Sequence, residues 1–245
     1  MRRNGNASAW TNVLMCSELG TSLLELMGAM VAGLVVLGAT LQSLSYFQQA
    51  FVRQQYRITQ QQDLRLGLEV LEQELRLAGF GSLSIILSDA VEFTANIHGV
   101  MTNVTSAALT GQTTLAVDDG RGWPDGKLVQ ICWSEQCERF TLARAGQRNL
   151  LTLVEPIAHP IPAGASVSVM NRIRYYSRAD ERGLLRLLRQ VDGGASVLIG
   201  DIKGMALSYW NEQGGKTTQP ELVRRILIEI WLPHRVEKRE ISLRT

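Results

Sequence analysis

Hydrophobic and polar positions divide the chain into three textures. Between Leu26 and Val52 there is no charged residue, and in the run from Leu26 to Leu41 only Thr40 interrupts the apolar character. Extended through Leu44 and Tyr46-Phe47, the run is about 20 residues long. At a rise of roughly 1.5 Å per residue, a helix of that length crosses a hydrocarbon core of about 30 Å. No proline breaks it, and Gly28, Ala29, Ala32, Gly33, Gly38 and Ala39 supply small residues for close helix contact. From Gln48 to Ala78 a second texture follows. Leu64, Leu68, Leu71, Leu75 and Ala78 step by 4, 3, 4 and 3, which predicts a continuing helix with one apolar stripe packed on a globular domain. Asp63, Arg65, Glu69, Glu72, Glu74 and Arg76 are expected on its remaining, solvated surface. Gly79 and Gly81 supply the C-terminal stop.

The third texture, from Ser82 onward, is that of short strands between turn signals. Strands are expected at 113–117, 127–133, 149–154, 165–176, 202–210, 223–232 and 236–243. Turns are expected at Asp118-Asp119-Gly120, Trp123-Pro124-Asp125-Gly126, Asp192-Gly193-Gly194 and Pro233-His234. Strands following one long helix indicate an α+β domain, and no period of 20–50 residues points to a repeat architecture.

Composition changes this picture only by exclusion. With 245 residues the chain holds one sizeable domain plus an appendage. Its 25 Lys and Arg against 23 Asp and Glu leave a net charge of +2, too little to mark a nucleic-acid-binding surface. Three histidines and three cysteines leave little material for a metal cluster, and no nucleophile-elbow, phosphate-loop or dinucleotide fingerprint occurs. A cleaved secretory signal fits poorly, because Arg2 and Arg3 lie far upstream of the apolar run and Gln42-Ser43-Leu44-Ser45 is a poor cleavage site. Glu25, just inside the start of the membrane stretch, is more informative. An unpaired carboxylate there costs on the order of 3 kcal/mol, so its presence suggests a function that a plain anchor lacks.

The residues Glu18-Leu19-Gly20-Thr21-Ser22-Leu23-Leu24-Glu25-Leu26-Met27 resemble the processing signature of type IV pilin-like proteins. In that family a prepilin peptidase cuts after a glycine, and the fifth residue of the mature chain is glutamate. The resemblance implies a leader over 1–20, cleavage between Gly20 and Thr21, and N-methylation of the new α-amine. That amine is largely cationic at neutral pH, with a reference pKa near 8. It further implies that Glu25 meets the N-terminal amine of a neighbouring subunit. In a low-dielectric bundle such a pair attracts strongly while either charge alone is costly, so Glu25 sets the stagger between subunits. The chain departs from the pattern at Thr21, where phenylalanine is usual, and at Gln42, where major pilins commonly have a kinking proline. The second departure favours a minor member. A start at Met15 gives a shorter leader; Cys16 falls in the leader in either case.

Leu75-Arg76-Leu77-Ala78-Gly79-Phe80 is similar to the helix end of PilW-type minor pilins. Tyr175-Tyr176 through Leu184-Leu185-Arg186, then Ile202 to Trp210, resemble that type more loosely. GspJ-type pseudopilins of type II secretion have a related pattern and come second. A membrane-anchored periplasmic adhesin or enzyme is the alternative of another class. The resemblance implies a pilin-like α+β fold. A long helix over 21–80, with its membrane segment at 21–47, packs on an antiparallel β-rich periplasmic domain over 81–245. It implies a non-enzymatic subunit, without cofactor, that takes part in initiating and assembling type IV pili. Such a subunit is a single-pass protein of the inner membrane and enters the pilus on assembly. Its partners are the prepilin peptidase, other minor pilins and the major pilin, the inner-membrane assembly platform and the bilayer itself.

With the domain outside the cytoplasm, Cys132 and Cys137 are expected to form a disulfide stapling a hairpin; free buried thiols are the alternative. No metal site is expected there, since C-x4-C lacks a second pair of ligands and His98, His159 and His234 stand apart. Asp118, Asp119 and Asp125 are read as solvated turn residues rather than calcium ligands. Arg172, Arg174, Arg178, Arg182, Arg186 and Arg189 form a basic stretch that could face DNA or an acidic partner. Arginines in alternation on a strand are more commonly an exposed sheet face, and that is the reading taken here.

Overall fold

The structure is a computed structural model that describes residues 23–79, 81–134, 136–233 and 235–243. The leader, the cleavage position at Gly20 and Thr21, Cys16, Phe80 and His234 lie outside the described residues. The chain divides into two compact units between Tyr56 and Arg57. Helix α1 (Leu23–Ala78, 56 residues) contributes its first part to one unit and its last part to the other.

In the first unit every described residue is exposed. The uncharged stretch is long and apolar enough to cross a membrane, and none of it is buried within the chain. A soluble core helix of this composition would have its apolar side chains covered, so the apolar surface here answers to a surrounding other than this chain.

In the second unit, residues 57–78 of α1 bury one face. Leu64, Leu68, Leu71 and Leu75 fall on it as their spacing requires, and Ala78 is half-buried. Gly79 and Gly81 take positive φ angles of 71° and 77° and end the helix, since a left-handed backbone carries no penalty at glycine. Two further residues share the buried face, Gly67 and Glu74. A Cβ at Gly67 would stand 2.5 Å from Cγ1 of buried Ile199, so glycine lets helix and sheet approach there. Glycine's helix penalty of about 1 kcal/mol is accepted at that position.

The strands are β1 (Leu83–Ile86), β2 (Ala90–Ala95), β3 (Met101–Asn103), β4 (Thr114–Ala116), β5 (Leu128–Trp133), β6 (Gln136–Thr141), β7 (Leu150–Thr152), β8 (Ser166–Ala179), β9 (Leu185–Val191), β10 (Gly194–Ile202), β11 (Gly204–Trp210), β12 (Arg225–Trp231) and β13 (Val236–Ser242). The expected strands are present, with two refinements: 202–210 begins at Gly204, and 165–176 continues to Ala179. All the pairings are antiparallel. The chain is thus an apolar N-terminal helix followed by an antiparallel, β-rich domain of the α+β class.

Strand β8 organises the larger sheet. Its first half lies between β3 and β5, with Ser168 opposite both Met101 and Gln130. Its second half lies between β2 and β9, with Arg174 opposite Glu92 on one side and Gln190 on the other. The two halves serve different cores. Val167 and Val169 join Val129, Ile131, Phe140, Leu151 and Trp123 in one apolar cluster drawn mostly from residues 104–169. Ile173 and Tyr175 join the leucines of α1, Phe93, Leu187, Ile199 and the β11–β12–β13 sheet in the other. Residues 167, 169, 173 and 175 share one face because side chains alternate along a strand.

Within the second cluster the structure corrects the assignment of two charged residues. Glu74 is only 7% exposed rather than solvated, and Arg189 points back to it rather than outward with the other arginines. Arg189 Nε donates to both Glu74 carboxylate oxygens, at 3.1 and 3.0 Å, and its terminal NH2 donates to Oε1. The hydroxyl of fully buried Tyr175 donates to Oε2. Burial, reinforced by the bond to the Glu74 carboxylate, pushes the Tyr175 phenol above its ordinary range. Removing one partner of such a group strands the others, which costs more than the intact pair contributes. Glu74→Ala is therefore expected to lower stability by about 3 kcal/mol, with part of the loss regained in Glu74→Ala/Arg189→Met. Denaturant titration of both variants followed by tryptophan fluorescence checks this; a midpoint unchanged by Glu74→Ala contradicts it.

Candidate functional site

Glu25 stands exposed in the first turn of α1, where a negative charge also suits the positive end of the helix dipole. Among the described residues, a Cβ at Gly28, Gly33 or Gly38 would meet nothing within 4 Å.

Cys132 and Cys137 are joined by a disulfide. They face each other across the β5–β6 hairpin, one pair below Trp133 and Gln136, and Ser134 in the turn adopts a left-handed φ of 51°. Strand β6 was not expected from the sequence, although the pairing of the two cysteines implied a hairpin. In the chain-entropy account, so short a loop stabilises by about 2 kcal/mol. Replacing both cysteines by serine should lower the unfolding free energy by that amount in denaturant titrations. Reductant should then destabilise the parent protein and leave the double variant unchanged.

The remaining candidates are taken up by local structure. Asp119 receives the Arg121 guanidinium and backbone N–H, and the Arg121 side-chain bond holds its carboxyl down to about 2. Asp118 accepts from Asn103 at 3.4 Å. His159 pairs with Glu138 at 2.6 Å. Among the described residues, no three His, Cys, Asp or Glu side chains gather so as to hold a metal ion. Arg186 is tied to Asp180 at 2.6 Å, and backbone N–H bonds led by that of Leu184 keep the Asp180 carboxyl below its usual value.

The arrangement with most chemical content lies on the outer face of the sheet, where the first residue of β5 and the last residue of β9 come next to each other along the same side of β8. A cleft of about 830 Å³ opens there. Asp192, in the β9–β10 turn with a left-handed φ of 49°, ties its margin together. It pairs with Lys127 and accepts from Asn171 Nδ2 at 2.7 Å and from the backbone N–H of Arg172 at 2.9 Å. Burial opposes the ionised Asp192 carboxylate, but the bonds from Lys127, Asn171 and Arg172 prevail and its pKa falls below the ordinary carboxylate value.

Three cations line the cleft. Lys127 is held by Asp192, and Arg172 lies 3.6 Å from Glu92. Arg174 differs. Its guanidinium carbon stands 5.2 Å over the ring of Tyr176, and its buried Nε has no hydrogen-bond partner. Gln190, Asp125 and Thr141 complete the polar lining. Of these residues the sequence singled out Arg172, Arg174, Asp125 and the turn at Asp192. It gave no sign that they converge, because the convergence depends on how β5 and β9 follow each other along β8.

The described fold is of the α+β class, an apolar N-terminal helix followed by an antiparallel β-rich domain. Comparison of the chain with protein-family profiles, with curated proteins and with solved structures finds no match.

The lowered pKa of Asp192 links it to stability with a definite sign. A depressed folded-state pKa contributes stability above the unfolded carboxylate value of about 3.9 and loses it as pH falls through the folded value. Asp192→Asn should cost about 1–2 kcal/mol at neutral pH, and the gap between variant and parent should narrow as pH drops below about 4. Unfolding free energies measured from pH 7 to pH 3 test this; a constant gap excludes the linkage.

Proposed function

We propose that the protein is a PilW-type minor pilin, made with a leader, cut after Gly20 and inserted into the inner membrane with its β-rich domain in the periplasm. It takes part in initiating and assembling type IV pili beside other minor pilins, and enters the filament from the assembly platform. The observation that carries the reading is an uncovered, uncharged helix with one carboxylate, Glu25, in its first turn, five residues after a glycine. A helix of this kind anchors a single-pass protein and can also pack against its own kind. The glycines at 28, 33 and 38 support helix–helix contact, since nothing in the chain itself requires them. The Cys132–Cys137 disulfide supports an oxidising compartment for the domain.

A GspJ-type pseudopilin of type II secretion shares all these features and differs in its partners. Co-purification with pilins or with secretion-system components separates the two. The mass of the mature N-terminus tests both against a simple anchor. A chain starting at Thr21, carrying an added methyl group, is expected; an uncut start at Met1 or Met15 in cells that contain the peptidase refutes the proposal. Glu25→Ala should leave cleavage intact and reduce pilus number in a complemented null strain. Unchanged pilus number would remove the register role from Glu25.

A further inference from the structure

We propose that the cleft between the start of β5 and the end of β9 binds an acidic carbohydrate, with Arg174 receiving the sugar carboxylate. The inference concerns the β-rich domain alone and stands whether or not the pilin reading does.

The cross-sheet row Glu92–Arg174–Gln190 places Arg174 directly beside a carboxylate. Glu92 nevertheless pairs with Arg172, two positions back along β8, and also receives the Ser84 hydroxyl at 3.3 Å. Asp192 is occupied by Lys127, Asn171 and a backbone N–H. Among the described residues, the cleft cation left over is Arg174. Its planar fork offers two parallel donors to one carboxylate, and Tyr176 beneath the guanidinium holds the plane in place. The unpartnered, buried Nε means that part of the desolvation cost of this cation has been met before any ligand arrives.

The rest of the lining selects among carboxylates. An acidic peptide brings several negative charges, and the carboxylates of Asp125 and Glu92 repel every charge beyond the first. A uronic acid brings one negative charge and a ring of hydroxyls. Asp125 can accept from those hydroxyls, Gln190 can both donate and accept, and Thr141 adds a hydroxyl of its own. A volume of about 830 Å³ is in the range of small-molecule sites and accommodates a disaccharide. Leu128 and Met170 give the sugar's apolar face something to lie against.

The test uses the full chain in detergent micelles, labelled with 15N-arginine, titrated with galacturonosyl-galactose, a disaccharide with one carboxylate, and with its neutral counterpart galactobiose. The Nε–Hε resonance of Arg174, assigned by its loss in Arg174→Lys, should move saturably with galacturonosyl-galactose and stay still with galactobiose. Arg174→Gln should weaken binding about tenfold or more, as loss of a charge-assisted bond requires. Arg174→Lys, which keeps the charge and loses the fork, should fall between parent and Arg174→Gln. Asp125→Asn should weaken it about threefold. The remaining arginine resonances report that each variant is folded. Equal binding of galactobiose, full affinity in Arg174→Gln, no movement of the Arg174 resonance, or displacement of galacturonosyl-galactose by an equal concentration of acetyl-Ser-Asp-Ser-amide would each overturn the proposal, the last in favour of an acidic peptide.

Discussion

One carboxylate governs how the last part of α1 lies on the sheet. Leucines at 64, 68, 71 and 75 would bury equally well with the helix slightly rotated or slid, because dispersion and hydrophobic contact have little directionality. Glu74 removes that freedom. Its oxygens must meet the Arg189 fork from β9 and the Tyr175 hydroxyl from β8 together, which fixes the helix against two strands. Gly67, one and a half to two turns earlier on the same face, sets how closely the helix approaches β10. The apolar stripe supplies most of the affinity between helix and sheet, and these two positions supply the register.

The same logic of a shared element explains where the cleft forms. Strand β8 is long enough to serve two cores in succession, and its neighbours change at residues 170–173: Leu128, the first residue of β5, lies opposite Met170, and Val191, the last of β9, lies opposite Ile173. At that change of partner the β9–β10 turn fills the gap, with Asp192 bonding to the backbone of Arg172 and to Lys127 ahead of β5. Buried Asn171 marks the boundary between the two apolar clusters and contributes to the same knot. A seam between two packed regions leaves a concavity on the outer face. Strand alternation places Arg172 and Arg174 there because Ile173 and Tyr175 face inward.

The sequence made the helix, its apolar segment and the later strands legible because each rests on a local period: an uncharged run, a step of 3 and 4, or an alternation of 2. Ile226, Ile228 and Ile230 mark β12 in that way, and all three are buried. Glu74 was misplaced for a different reason. The helical period carries position 74 onto the edge of the stripe, three residues past Leu71, but a carboxylate there is credible only when a distant cation is known to meet it, and Arg189 lies 115 residues away. Arg189 was misread by the same omission, since the run from Arg172 to Arg189 suggested one exposed face, whereas the β8–β9 register sets Arg186 opposite Arg178 but Arg189 opposite inward-facing Tyr175. Strands β1, β2, β3 and β6 were read only as β texture, because none shows a long alternating pattern.

Glycine illustrates how far the structure separates internal causes from external ones. At Gly67 the cause is internal: Ile199 occupies the space a Cβ would need. At Gly28, Gly33 and Gly38 the space is empty, yet each position bears a helix penalty of about 1 kcal/mol relative to alanine. A lone span in lipid gains nothing from that penalty, whereas close packing of one span against another does. Arg174 presents the same contrast among cations, with Lys127, Arg172 and Arg189 each satisfied inside the chain. On this view the α1 glycines and Arg174 answer to different outside partners, one in the membrane and one in solution. The two readings therefore fail separately: an uncut N-terminus leaves the cleft as it is, and an empty cleft leaves the helix as it is.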